Sequence, residues 1–537
     1  MDTTTEASTA GSPAIGEAIH RRRWAILAVV CLAVFVTVLD GTIVNVALPS
    51  LALELGASTR QLQWIVDAYL LVFTGLLLAA GGLGDRYGRK RTLLVGLVVF
   101  GITSAFAGAA SGAGELIVGR ALMGVGAALI FPATLAIITN VFTEAGERAK
   151  AIGVWSAVSG IAVAAGPITG GWLLGRFWWG SVLYVNVPVV IIAVAAVLAI
   201  VPESKDEEAP ALDRAGVLFS IGAIGTLVFT IIEAPEWGWI SANTVIGFAL
   251  SALLIAAFVT VELRVEHPML PVRIFRNLRF SAASVSIASA FFALFGFIFL
   301  ITQYFQLVRG YSPLEAGLRT LPVAMAIAVA SMVAPRVVEG AGTTRVVSAG
   351  LALMAIGFAW VSTASVTTPY LEIVGQMLLL GTGLGLTTAP ATESIMGSIS
   401  LGKAGVGSAV NDTTRELGGT LGVAIVGSVF SSVYVSALAD GPVFSSLPGG
   451  AQEATEGSVG ASQLVARELG LAAPAYLDEV SEAFLSGLGV ACLVVAGVAA
   501  AGSVFAARYL PARSTADTVD HIDVEPVDTP PLAVAES

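Results

Sequence analysis

Charge is scarce in this chain: of its 537 residues only 12% are Asp, Glu, Lys or Arg, while 56% are hydrophobic. Soluble domains carry roughly twice that charged share, so a water-exposed globule is excluded. Cysteine is almost absent. The two present, Cys31 and Cys492, both fall inside apolar runs, which rules out a disulfide framework and a metal-binding Cys spacing. Histidine is equally thin: His20, His267 and His521 all lie in polar segments. No nucleophile–base pair or metal cluster is therefore set within the apolar part, as a membrane-embedded enzyme or sensor would need, and no cofactor is implied. A basic patch of the nucleic-acid kind is also missing. The net charge of −11 is held in two places: residues 514–537 carry six acids and no Lys or Arg, and residues 438–480 carry six acids and Arg467. Both read as mobile acidic segments, one a tail and one a long loop. "GSISLGKA" (397–404) spells most of a P-loop but ends in Ala404, where magnesium needs Ser or Thr.

What the chain does have is apolar runs of about twenty residues, each long enough to cross a bilayer as a helix. Fourteen are found, at 24–48, 62–83, 92–111, 115–139, 150–174, 181–201, 215–234, 243–262, 280–305, 316–335, 346–366, 370–391, 405–437 and 483–507. The first follows Arg21, Arg22 and Arg23 like a secretory signal, but it is too long for one and reads as a span. Polar stretches divide the runs into six, two and six. The expected organisation is a leader (1–23), a six-helix bundle (24–201), a linker with two extra helices (202–280), a second six-helix bundle (281–507) containing the loop 438–480, and an acidic tail (508–537). Two similar bundles around a hairpin suggest an internally repeated transporter. The repeat is faint, since "APRVVEGAGTTR" (334–345) echoes the loop after the second span only in a Gly and cations.

Orientation follows from the cations. With both termini in the cytoplasm, 21 of the 27 Lys and Arg residues fall in cytoplasmic segments and five in outer loops, with Arg120 inside a span. Positive residues favour the inside, so the expected setting is the plasma membrane with cytoplasmic termini.

The loop "GGLGDRYGRKR" (81–91) answers more than topology, because orientation does not require Asp85 or the glycines at 81, 84 and 88. Here the residues resemble the major facilitator superfamily, whose signature is met by Gly81, Leu83, Asp85, Arg86, Gly88, Arg89 and Lys90. The resemblance implies that Asp85 and Arg89 form a charge latch steadying one conformation. "LIVGRALMGVGAA" (116–128) is similar to the family's fourth-span pattern at Arg120, with Met123 where a Gln is usual. "GVWSAVSGIAVAAGPITGG" (153–171) carries Gly166, Pro167, Gly170 and Gly171 of the signature associated with antiporters, and a Pro among small residues suggests a bend packed on a neighbour. With "LDGTIVNVALP" (39–49), "WIVDAYLL" (64–71), "RGYSPLEAG" (309–317), "GTGLGLTTAP" (381–390) and "GVGSAVNDTTRELGGTLGVA" (405–424), the chain resembles the fourteen-span drug:proton antiporters over residues 24–437.

The ionisable residues inside spans are candidate sites by cost alone. Asp40 lies in the first span with no cation beside it in sequence, and is expected to carry the coupling proton. Arg120 either braces an acid and backbone carbonyls or tunes a carboxylate. Asp412 and Glu416 share a helix face, either lining a cavity for cations or beginning a solvated cytoplasmic helix. Asp67 reads equally as a cation contact or an interfacial acid. The resemblance implies an all-α membrane fold and proton-driven efflux of amphipathic or cationic drugs. Its partners would be a small-molecule substrate, protons and the lipid bilayer, with the protein a monomer and no nucleic acid involved. Export of a lipid or an endogenous metabolite stays open beside it.

Overall fold

A computed structural model describes residues 12–205, 213–265, 268–398 and 404–511. The acidic tail 514–537 lies outside the described residues, as do the first eleven residues of the leader. Within these limits the chain forms long helices and no strands. In lipid no water can satisfy free backbone groups, so apolar runs close their hydrogen bonds internally as helices.

The first bundle is α1 (Ser12–Glu54), α2 (Thr59–Tyr87), α3 (Arg89–Gly108), α4 (Ala113–Val141), α5 (Ala145–Leu174) and α6 (Asn186–Ile200). The inserted hairpin is α7 (Arg214–Trp237) and α8 (Ala242–Arg264). The second bundle is α9 (Leu278–Gln303), α10 (Leu321–Ala341), α11 (Thr343–Val361), α12 (Tyr370–Met396), α13 (Ala404–Leu438) and α14 (Ala473–Tyr509). Thirteen of these pass as spans unbroken, and α2 joins them as a helix bent by 54° between Leu77 and Ala79. All fourteen apolar runs are thus helices long enough to cross a membrane. Several extend beyond the apolar run, because Ser58, Asp213, Ser241 and Asn277 cap them from the polar side.

An even number of spans brings the two chain ends to one side, here called the terminal end. The opposite side is the far end. Side chains such as Ile102, Ile191, Leu253, Met325 and Val504 are exposed on the bundle surface, as lipid-facing positions require. Helices α1 and α9 are the most enclosed.

The inserted hairpin is not peripheral. Helix α7 packs on both α2 and α13, across the seam between the bundles. Ser428 donates to the Ile231 carbonyl at 2.8 Å, and Trp239 donates to Ser432 at 3.1 Å. At the far end Arg60 reaches Glu233 at 2.8 Å and also pairs with Glu236.

One expectation fails. The segment 438–480, read from its acids as a mobile loop, is folded. It forms helices Pro442–Ser445, Gly449–Gly457 and Val459–Glu468 before α14 begins at Ala473. Asp440, Glu453, Glu468 and Asp478 face water while Phe444, Leu447 and Val459 are buried. Glu479 accepts the Val443 and Phe444 amides, each at 2.9 Å, and so caps the first of these helices. Tyr434 donates to the Thr455 carbonyl at 3.2 Å, while the Thr455 and Tyr476 hydroxyls meet at 2.5 Å. Gly460 lies directly against Ala52, which brings this cap onto α1 of the other bundle. Net charge alone could not reveal this, because it ignores where along a helix the charges point.

Candidate functional site

The centre of the first bundle holds one buried polar network. Asp40 on α1 is fully buried, and its Oδ2 pairs with the Arg120 guanidinium from α4. Its Oδ1 accepts from Asn186 Nδ2 of α6 at 2.8 Å. The acid therefore ties three helices together. The expectation of an acid without a neighbouring cation is corrected: the cation comes from eighty residues away along the chain, beyond the reach of local spacing. Arg120 is 1% exposed and has three partners. Besides Asp40, its Nε donates to the Ile65 carbonyl at 3.0 Å, and its guanidinium lies over the Tyr69 ring at 4.3 Å. These contacts are those of the first role weighed for Arg120, bracing an acid and a backbone carbonyl. Tyr69 in turn donates to the Thr37 carbonyl at 3.2 Å. Met123, which stands where a Gln was usual, is buried apolar core and adds nothing polar.

Asn186 was missed in the sequence. Its Nδ2 also contacts Ser104 at 3.1 Å, and Ser104 donates to the Leu183 carbonyl at 2.8 Å. The available signal was an Asn embedded in an apolar run, "SVLYVNVPVV" (181–190), which is costly unless paired.

Asp85 and Arg89 do meet, across one helix turn at the junction of α2 and α3. Arg89 donates through Nε and Nη2 to Asp85 Oδ1 at 2.9 and 2.8 Å. The Arg89 amide donates to the Ser204 carbonyl at 2.8 Å, and Glu203 accepts from the Lys90 amide at 3.1 Å, so the loop is docked on the segment after α6. Gly88 sits at φ 111°, a backbone state that side chains oppose, and Glu203 fills the space its Cβ would take. Gly81 differs: a Cβ there would meet only Pro132, at 3.8 Å, which is ordinary contact. This conformation places no close helix approach at Gly81.

The antiporter-type stretch lies on α5, which continues as one helix through Pro167. Gly166 and Gly170 face Thr42 and Ile43 of α1, where a Gly170 Cβ would come within 2.9 Å of Ile43 Cγ1. Gly171 faces the second bundle, and its Cβ would stand 2.5 Å from the Pro313 carbonyl oxygen. Pro167 presents its own carbonyl to Gly317 in the same contact. Other cross-bundle bonds lie in the same half. Thr302 and Gln306 donate to the Asn45 and Val46 carbonyls at 3.0 Å each, and Gln63 donates to the Ala424 carbonyl at 3.0 Å. Among the described residues, every bundle-to-bundle hydrogen bond is in the far half.

Asp412 and Glu416 lie two and three turns beyond Ala404 in α13. A helix start is thereby excluded for them. Both are half-buried. Asp412 accepts from Asn411 at 3.2 Å and has Arg415 at 4.0 Å. Arg415 donates to Thr392 at 3.0 Å and covers the Phe291 ring at 5.4 Å. Asp67 lies on α2. It is fully buried one turn beyond Gln63, and neither carboxylate oxygen has a hydrogen-bond partner among the described residues.

With this geometry in hand, the chain can be set beside known proteins. The family model described as Major Facilitator Superfamily matches residues 30–423. The multidrug efflux pump LfrA of Mycolicibacterium smegmatis is 35% identical over 494 residues, 90% of this chain and 96% of that one. The methyl viologen resistance protein SmvA of Salmonella typhimurium is 36% identical over 419 residues, covering 78% and 84% of the two chains. Among solved structures, an inward-facing, unoccupied bacterial homologue of the human lysosomal transporter Spinster superposes with a TM-score of 0.65. It has 16% identity and covers 91% of this chain and 97% of that one, a likeness of fold.

Proposed function

Because the chain belongs to the Major Facilitator Superfamily, we propose that it exports amphipathic and cationic drugs in exchange for protons, by alternating access between its two six-helix bundles. The observation that carries this is the Asp40–Arg120 pair, sealed in the bundle centre and bonded to three helices at once. A proton on Asp40 removes one charge of a buried pair. Its hold on Arg120 then weakens, and the α1–α4–α6 packing has a second arrangement open to it. The present conformation is held closed at the far end by contacts of Gly171, Gln63, Thr302 and Gln306. In the cycle these contacts part, while the Asp85–Arg89 loop steadies the opposite gate.

Asp412 and Glu416 are the proposed drug-facing acids. A half-buried carboxylate offsets the desolvation of an organic cation far better than that of a neutral molecule. Methyl viologen, named in one relative, is such a cation. The proton gradient suffices as a driving force, since one charge moved through 100 mV gains about 2.3 kcal/mol. The termini are assigned to the cytoplasm on the cation count. A lipid exporter would be favoured by a lateral groove between the bundles. The groove of about 650 Å³ that is present, lined by Phe229, Trp237 and Leu250, lies within the inserted hairpin and lends that alternative no support.

The test is reconstitution in proteoliposomes with an imposed pH gradient and methyl viologen as cargo. Uphill movement that follows the gradient, and is lost in Asp40→Asn while exchange without a gradient persists, is the expected result. Accumulation indifferent to the gradient refutes proton coupling.

A further inference from the structure

At the terminal end of the inserted hairpin, an acid from each of its two arms lies against Gly216. Asp213 caps α7, its Oδ1 accepting the Gly216 amide at 2.8 Å. Glu262, in the last turn of α8, is 3% exposed, and its Oε2 accepts the Leu270 amide from the connector at 3.1 Å. That leaves Asp213 Oδ2 and Glu262 Oε1, both buried and without a hydrogen-bond partner among the described residues. The two orphaned oxygens converge on Gly216. A Cβ there would stand 2.5 Å from Asp213 Oδ2 and 2.7 Å from Glu262 Oε1, so only a residue without a side chain lets them approach.

Among the described residues no cation is hydrogen-bonded to or ion-paired with either orphaned oxygen. Arg214 on α7, Arg264 on α8, and Arg273 and Arg276 on the connector helix Val272–Arg276 are all exposed, and among the described residues none pairs with either acid. Two ionised carboxylates facing each other in a buried site repel, and like charges so placed cannot both persist. A single proton resolves it: one acid donates, the other accepts, and both orphaned oxygens are satisfied. A metal ion would need more oxygen donors than these two supply.

We propose that Asp213 and Glu262 hold one proton between Oδ2 and Oε1, forming a pH-sensitive clasp that joins the start of α7, the end of α8 and the connector at Leu270. Loss of the proton to solvent leaves two facing carboxylates, and the clasp opens. The clasp lies outside the transport route and responds to the pH on the terminal side, independently of the gradient carried through Asp40.

The experiment is hydrogen exchange of connector amides 268–277 in the full chain, in lipid nanodiscs across roughly pH 6 to 8, corrected for the intrinsic pH dependence of exchange. In the wild type the opening constant should rise about tenfold per pH unit once the pair titrates, as linkage to one proton requires. In Glu262→Gln and in Asp213→Asn, where no proton is shared, the slope should vanish. A flat wild-type profile overturns the proposal, as does a slope that survives both substitutions. If a variant does not fold, the infrared carboxyl band of the wild type decides. It should fade over the same pH range as the connector opens, and its absence throughout refutes the shared proton. Protection restored at high pH by sodium or magnesium ions would assign the pair to a metal cation and equally overturn it.

Discussion

Breaking the Asp40–Arg120 pair from either side should cost nearly as much as removing it whole. Both side chains are sealed, at 0% and 1% exposure, so neither can fall back on water. Removing one partner of a buried pair costs about 3–5 kcal/mol, chiefly by stranding the other charge. Asp40→Asn leaves Arg120 its bond to Ile65 and its place over Tyr69, which puts the expected loss near the bottom of that range, about 3 kcal/mol. It also turns one oxygen into a donor beside Asn186 Nδ2, which donates already. Arg120→Gln leaves Asp40 only Asn186, and the acid can answer by taking up a proton. The double variant Asp40→Asn/Arg120→Gln buries two neutral amides and strands no charge. Its loss should fall short of the summed single losses by about 2–3 kcal/mol, the upper end for contacting side chains. Denaturation of the purified protein in mixed micelles supplies the four stabilities, and gradient-driven uptake in proteoliposomes is read from the same preparations. The double variant should be little less stable than either single variant, and uphill transport should be absent from it. Additive losses would refute the pairing as an energetic unit, and restored uphill transport would refute Asp40 as the proton carrier.

Gly171→Leu should wedge the far end apart, since even a Cβ would meet the Pro313 carbonyl oxygen at 2.5 Å. Spin-label distances across that end should lengthen and transport should fall, and unchanged distances would sink the assignment of this contact to the gate. Arg89→Ala removes a partly exposed ion pair, so stability should drop by no more than about 1 kcal/mol. Turnover should slow several-fold with substrate affinity retained, and a collapse of affinity at normal turnover would count against a latch. Asp412→Asn and Glu416→Gln should weaken resistance to cationic drugs more than to neutral ones in cells matched for membrane abundance. Equal losses across both classes would remove these acids from the drug site.

Much of the fold was legible because lipid allows so few solutions. A run of twenty apolar residues has to be a helix, and capping residues such as Ser58 and Ser241 mark where it starts. The Asp85–Arg89 contact was legible for the same reason: it is local, four residues along one turn. The polar centre was legible only as a set of costly residues. Asp40 and Arg120 stood out because charge in a span is expensive, yet nothing in the sequence paired them or brought in Asn186. Asp67 could not be told from an interfacial acid, since depth along an apolar run does not say which neighbour covers the side chain. The segment 438–480 misled through its composition, because net charge carries no record of direction around a helix. The sequence by itself determined which segments form helices long and apolar enough to cross a membrane and which residues are too polar to be there without a partner. Tertiary structure alone decided those partners, because helix packing joins residues eighty to several hundred positions apart and no periodicity along the chain encodes which faces will meet.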